Sequence, residues 1–185
     1  MSAVAAAELQ KFAVKFFVRS ADGIELETFV PIFHRWIQKR RVPGILIDVA
    51  DYAHLPNGPG VVLVGHEADF FMDSMEGPLG LLYNRKLPLE GPFAERLRAA
   101  LKIALGACAA LETEPEFEGM LKFKRGEALF LANDRLAAPN TEESFAALRP
   151  DLESVFGEVL GGKVALLRDA ADPRRRLAIR ATAGR

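Results

Sequence analysis

The spacing of hydrophobic and polar positions changes several times along the chain, and each change predicts a new element. Residues 11–18 (KFAVKFFV) are almost continuously apolar, which is typical of a buried strand. From Thr28 the apolar positions recur at helical spacing, with Pro31 in the first turn, so we predict a helix capped by Thr28. Pro43 and Gly44 end this helix and return the chain to extended structure.

The following segment predicts an antiparallel meander, because apolar runs alternate there with short turn-forming sequences. Asn57-Gly58 is the strongest hairpin signal in the chain, and Glu76-Gly77-Pro78 marks a second turn. The three predicted strands are residues 45–52, 61–71 and 79–85.

The second half of the chain predicts two further helices and four strands. Apolar residues recur at four-residue steps from Pro92 onwards, which is typical of a helix that packs on a sheet. The next helix begins at Asn140 or Thr141, is interrupted by Pro150 and ends at Gly161. The four predicted strands are residues 121–124, 128–131, 163–168 and 176–182.

Together these elements predict an α+β fold. Hairpins dominate and strands do not alternate regularly with helices, so we expect a mixed, largely antiparallel sheet of about eight strands, packed with about three main helices. The length suits a single domain over residues 1–185. The acidic stretch 113–119 (TEPEFEG) marks the one candidate subdomain boundary.

The composition is that of a packed globular domain. The chain is 50% hydrophobic and 26% charged, with a net charge of −1, which argues against a protein that coats nucleic acid. The single Cys108 cannot form an internal disulfide. Its place in an Ala/Leu-rich helical run predicts a buried thiol, and a protein of the reducing cytoplasm.

No targeting or membrane segment is predicted. Residues 1–12 lack the basic stretch that precedes the apolar part of a signal peptide. The longest apolar run, residues 97–111, contains Arg98 and Lys102 and is shorter than the ~20 residues that span a bilayer. We therefore expect a soluble, cytoplasmic chain.

Candidate chemistry is concentrated between residues 45 and 86, which contain two of the three histidines. If the first hairpin turns at Asn57-Gly58, Asp48 faces Glu67 and Asp51 lies diagonal to His66. Such a register would bring carboxylates and an imidazole together on neighbouring strands.

Two kinds of site are consistent with this placement. An Asp beside a His can orient the imidazole as a general base, so the candidate catalytic residues are His66, Glu67 and Asp51. Two imidazoles and a carboxylate can also form a mixed N/O metal site, for which the candidates are His54, His66 and Asp69. The spacing matches no established metalloenzyme motif, and no cofactor motif is complete, so no cofactor is assigned.

A structural role is the alternative for the same side chains. In this interpretation Asp48 and Asp51 accept hydrogen bonds from turn amides, while His66 and Glu67 bond at the edge of the sheet. A register shift of one residue would move the predicted partners to opposite faces, so the two interpretations differ in whether the residues converge.

Arginines are frequent near the C-terminus, but that segment contains no aromatic residue on which bases could stack. We therefore expect no nucleic-acid partner, and interpret these arginines as a solvated face or a polar protein contact. They are Arg168, Arg174, Arg175, Arg176, Arg180 and Arg185.

The meander holds more apolar residues than a sheet with one buried face needs, and no catalytic motif is complete. We therefore predict a noncatalytic binding or accessory module that acts through homodimerisation or association with a partner protein. The alternative is a small enzyme that uses acid–base or metal-assisted hydrolytic chemistry at the 48–69 hairpin.

Overall fold

The structure, a computed structural model, describes residues 9–56 and 58–184. Within these residues the chain forms one antiparallel sheet of eight strands and three α-helices, so the predicted α+β fold is confirmed. The strands are β1 (Phe12–Val18), β2 (Leu46–Tyr52), β3 (Gly60–Gly65), β4 (Ala68–Asp73), β5 (Gly80–Arg85), β6 (Phe123–Ala132), β7 (Val164–Arg168) and β8 (Ala178–Ala183). The helices are α1 (Phe29–Lys39), α2 (Phe93–Leu111) and α3 (Glu142–Leu160).

The strands lie in the order β2-β3-β4-β5-β1-β6-β8-β7, which places β1 in the middle and β2 and β7 at the two edges. All three helices pack on one face of the sheet: α1 on β2 and β3, α2 on β1 and β5, and α3 on β6, β7 and β8. Phe12, Phe93 and Phe130 meet beneath α2 with ring centroids 5.7–5.9 Å apart. The main core therefore lies between the helices and this face.

Two strand predictions need correction although the total of eight is right. The run 61–71 was predicted as one strand, but it forms β3 and β4 with the turn His66-Glu67 between them. Gly65 permits this turn, because a Cβ there would lie 2.4 Å from the Ala68 carbonyl oxygen. Residues 123–124 of one predicted run and all of the run 128–131 belong instead to the single strand β6, which begins at Phe123.

The predicted helix caps and interruptions are only partly correct. The Thr141 side chain accepts a hydrogen bond from the Ser144 amide at 3.2 Å, which confirms that cap for α3. The predicted interruption at Pro150 is wrong, because α3 runs through it as one helix. Thr28 makes no side-chain cap, because the 3-10 helix Leu26–Thr28 leads directly into α1 and Thr28 already has helical dihedral angles.

The acidic stretch 113–119 packs against α1. Phe117 is buried with its ring centroid 5.0 Å from that of Phe29, and a Glu114 carboxylate oxygen accepts a hydrogen bond from the Trp36 indole at 2.6 Å. The Arg35 guanidinium donates hydrogen bonds to both Glu114 and Glu116, and these bonds raise its pKa. One sheet continues across this stretch, since β1 pairs with both β5 and β6.

Several expectations concern residues outside the described ones: the absence of a signal peptide at residues 1–8, the turn residue Asn57 and Arg185. Among residues 9–56 and 58–184, none of the helices has the length and apolar character needed to cross a membrane. Cys108 is fully buried, as predicted, and burial raises the pKa of its thiol well above the usual range.

Candidate functional site

The predicted hairpin of β2 and β3 is present, but its register is different. Asp48 lies opposite Val64 and Asp51 opposite Val61, with an irregularity between Leu46 and Asp48. The predicted pairing of Asp48 with Glu67 and the predicted diagonal placement of Asp51 and His66 are therefore wrong. The physical reason is that the observed pairs centre the hairpin on residue 56 instead of between residues 57 and 58, and that β3 ends at Gly65, so His66 and Glu67 lie in a turn.

The candidate residues divide between the two ends of β3. His54 follows the end of β2 near Asp51, whereas His66 and Asp69 lie beyond the other end of β3. The six residues of β3 separate the groups by roughly 20 Å at the usual rise per residue. Within the described parts of the chain, no three His, Cys, Asp or Glu side chains are close enough to hold a metal ion. Neither the proposed catalytic set nor the proposed metal set is brought together.

The two aspartates of β2 bond to amides beside them in sequence. Asp48 accepts from the Val49 amide at 2.8 Å and Asp51 from the Ala53 amide at 2.9 Å. Both side chains are exposed. This arrangement matches the structural alternative, in which the aspartates stabilise local backbone turns.

Two hydrogen bonds join the turn His66-Glu67 to Ile45, the residue that precedes β2. The His66 amide donates to the Ile45 carbonyl oxygen at 2.8 Å, and the Ile45 amide donates to a Glu67 carboxylate oxygen at 3.0 Å. That amide hydrogen bond lowers the pKa of Glu67. The His66 side chain is exposed, so at this turn the backbone and the neighbouring carboxylate make the contacts.

Asp69 is largely buried, and its carboxylate bonds across the same turn to Gly65. Its carboxylate accepts from the Gly65 amide at 3.1 Å and from the Lys86 ammonium at 2.7 Å. A carboxylate that already holds a cation and an amide is satisfied without a metal ion.

The most unusual feature of this region is that β2 is an edge strand with exposed hydrophobic side chains. Four of the nine large hydrophobic residues exposed in the described structure lie between residues 45 and 55. They are Ile45, Ile47, Tyr52 and Leu55, which are 62%, 57%, 40% and 45% exposed. An edge strand also presents backbone groups that no neighbouring strand satisfies, so this side of the sheet is suited to pair with another strand.

The charges along this edge are separated by sign. Lys39, Arg40 and Arg41 lie at the end of α1, five to seven residues before β2 begins, whereas Asp48 and Asp51 lie within β2. All five are exposed, and none of the ion pairs formed among the described residues involves them. The edge therefore carries a basic end and an acidic end.

A second group of polar residues, which the sequence analysis missed, lies in the middle of the sheet. Lys15 is fully buried, and its ammonium donates to the Asp73 carboxylate at 2.7 Å and to the Asp73 carbonyl oxygen at 3.0 Å. Asp73 also accepts from the Met75 amide at 3.1 Å. The available signal was Lys15 itself, because a single lysine inside an apolar strand requires a buried partner.

In comparisons with known proteins, no family model, curated protein sequence or solved structure matches this chain. Function is therefore inferred from the geometry just described.

Proposed function

We propose that this chain is a noncatalytic binding module that forms a homodimer by pairing its β2 strand with the β2 strand of a second copy. The observation that carries this proposal is the combination of an unpaired edge and exposed Ile45, Ile47, Tyr52 and Leu55. Exposed hydrophobic edge strands pair with other strands unless something blocks them.

The two edges of the sheet differ in how well they are protected. Strand β2 contains neither lysine nor proline; its own devices against edge pairing are the exposed Asp48 and Asp51 and the irregularity between Leu46 and Asp48. The opposite edge, β7, is flanked by Lys163, ends at Arg168 and exposes one large hydrophobic side chain, Leu167. This difference supports β2 as the interface.

The separated charges favour an antiparallel arrangement of the two strands. In an antiparallel pair the basic beginning of one β2, at Arg40 and Arg41, lies towards the acidic end of the other, at Asp51. A parallel pair would place like charges side by side, which is unfavourable. Antiparallel pairing also has the two-fold symmetry that is commonest among homo-oligomers.

The alternative, acid–base or metal-assisted hydrolysis at the 48–69 hairpin, receives less support. Its residues lie at both ends of β3, and Asp51 and Glu67 already accept backbone amides. General acid–base catalysis requires groups within hydrogen-bond reach of one reacting centre.

The solution mass tests the proposal. Light scattering after size exclusion should give twice the 20.3 kDa chain mass at high protein concentration. Ile47→Lys should yield a monomer, because it places a charge on the pairing edge. The matched control Leu167→Lys, at the opposite edge, should remain dimeric. A wild type that stays monomeric at every concentration, or an Ile47→Lys variant as dimeric as the wild type, would overturn the proposal.

A further inference from the structure

The backbone amides of β2 alternate in direction, and the neighbouring strand shows which of them point outwards. The Gly65 amide at the end of β3 bonds the Asp69 carboxylate on β4, so it points away from β2. Because amide direction alternates along a strand, the Val64 amide points towards β2 and towards Asp48, its partner in register. The next residue of β2, Val49, therefore has its amide on the free edge.

Val49 lies at the centre of this edge, and its amide is already occupied. It is the fourth of the seven residues of β2, so an antiparallel strand centred on β2 has to bond the Val49 amide. That amide donates to an Asp48 carboxylate oxygen at 2.8 Å, an arrangement here called the cap. Asp48 is exposed, and among the described residues its side chain makes no other hydrogen bond. The cap therefore closes the middle of the edge with a carboxylate that no other contact fixes.

The second aspartate of β2 does not close the strand in this way. Asp51 accepts from the Ala53 amide at 2.9 Å, and Ala53 lies in the turn that follows the last strand residue, Tyr52. The Asp51 amide itself points outwards like that of Val49, two residues before it. Within the described part of β2, Asp48 is thus the residue whose side chain occupies an outward strand amide.

The opposite edge of the sheet has no such cap. Among the side-chain hydrogen bonds of the described residues, none is to an amide of β7, and this strand is flanked by Lys163 and ends at Arg168. A cationic side chain on an edge discourages pairing for as long as it is present. A carboxylate cap, in contrast, can be exchanged for the carbonyl oxygen of an incoming strand. The β2 edge is therefore protected in a way that pairing can reverse.

Given the homodimer proposed above, on which this depends, we propose that Asp48 restrains dimerisation by capping the Val49 amide, so that two copies of β2 pair only when both caps are released. A hydrogen bond to a charged group is roughly twice as strong as one between neutral groups, so exchange of the cap for a backbone carbonyl is unfavourable. The two-fold symmetry of the dimer makes this exchange occur once in each copy. The result is reversible pairing at an edge whose exposed hydrophobic side chains favour association.

The dissociation constants of two Asp48 variants test the cap. Asp48→Ala removes the acceptor and the charge, whereas Asp48→Asn removes the charge and keeps an oxygen acceptor. Sedimentation equilibrium should show Asp48→Ala dimerising about tenfold or more tightly than the wild type, because neither copy has a cap to release, with Asp48→Asn between them. The control Asp169→Ala removes an exposed aspartate that bonds the Ala171 amide beyond β7 at 3.0 Å, and it should leave the dissociation constant unchanged.

The order of the two variants separates the cap from charge repulsion. Both lack the charge, so Asp48→Ala should remain the tighter dimer of the two in roughly 1 M salt, where screening extends only ~3 Å. If Asp48→Asn dimerised as tightly as Asp48→Ala, the charge alone would act and the cap would be refuted. A dimeric wild type as tight as Asp48→Ala would refute the cap and leave the homodimer in place.

Hydrogen exchange tests the cap in the monomer. In dilute protein the Val49 amide of the wild type should exchange several-fold more slowly than an unprotected amide, and Asp48→Ala should remove this protection. The Ala50 amide, which points towards β3, should be protected in both chains. An unprotected Val49 amide in the wild-type monomer would overturn the proposal even where the dimer forms. If the wild type never dimerised while Asp48→Ala did, the homodimer of the natural chain would be wrong and the restraint would be supported.

Discussion

The charged residues of the β2–β3 hairpin and those in the middle of the sheet differ in burial and in how far apart their hydrogen-bond partners lie in the sequence. At the hairpin, Asp48 and Asp51 are exposed and bond to amides one or two residues away. In the middle of the sheet, Lys15 and Asp73 are buried and bond to each other across 58 positions of sequence. The first region has many charges with little dependence on one another, whereas the second has few that depend strongly on their partners.

This difference shows that the number of charged residues in a segment is a weaker indicator of importance than the isolation of one charge. An exposed ion pair contributes about 0–1 kcal/mol to stability. Removal of one partner from a buried pair costs about 3–5 kcal/mol, because the other charge is left without compensation in a poorly solvated place.

The largest expected effect comes from breaking the buried pair. Lys15→Met should lower the free energy of unfolding by about 3–5 kcal/mol, as measured by urea denaturation. The double variant Lys15→Met/Asp73→Asn should recover much of this loss, because no unpaired charge remains. Asp48→Asn at the edge is the matched control, with little expected change. If Lys15→Met and Asp48→Asn were equally mild, the contrast between the two regions would be wrong.

A smaller loss of stability is expected when a substitution at Gly80 crowds the Lys15 side chain. At Gly80 a Cβ would lie 2.4 Å from the Phe16 carbonyl oxygen and 2.9 Å from the Lys15 side chain. Gly80→Ala should therefore destabilise the chain by about 1–3 kcal/mol, the usual cost of overpacking. Gly126→Ala on β6 is the control, because its Cβ would meet only Ala183 at 3.5 Å. Similar unfolding midpoints for the two variants would contradict this account.

The sequence predicted the elements better than their arrangement. Local signals were sufficient for α1, for the cap at Thr141 and for the two C-terminal strands β7 and β8. The pairing of β1 with β5 and β6 was not predictable, because apolar strands of this kind satisfy many strand orders equally well.

The strand register around the candidate site was predicted wrongly for a related reason. The prediction centred the hairpin between residues 57 and 58, whereas the observed pairs centre it on residue 56. The second turn at His66-Glu67 was not recognised either, so Glu67 was placed along a strand that had already ended. Gly65, whose Cβ would collide with the next strand, was the signal for that turn. Lys15 was the signal for the buried pair. Its partner, Asp73, could be identified only from the fold.

At the edge, reversal of one charge should weaken the proposed dimer moderately. Asp51→Lys should raise the dissociation constant several-fold, because it faces the basic end of the second copy, and sedimentation equilibrium would measure the change. The effect should disappear in roughly 1 M salt, where screening extends only ~3 Å. Asp134→Lys, which lies away from β2, is the control. A salt-independent effect would indicate lost packing instead of lost charge attraction.

The smallest effect should come from Glu67, whose carboxylate bonds the Ile45 amide at the start of β2. Because that bond lowers its pKa in the folded state, its contribution to stability is complete above the unfolded pKa, about 4.3, and is lost as pH falls through the lower folded value. The unfolding midpoints of the wild type and Glu67→Gln should therefore differ near neutral pH and converge in acid. A carboxyl NMR titration should give Glu67 a pKa below the ordinary glutamate value of about 4.3. If Glu67 titrated at that ordinary value, its bond to the Ile45 amide would not form in solution, and the beginning of β2 would be held without it, by the His66 amide and the pairing of Leu46 with Gly65.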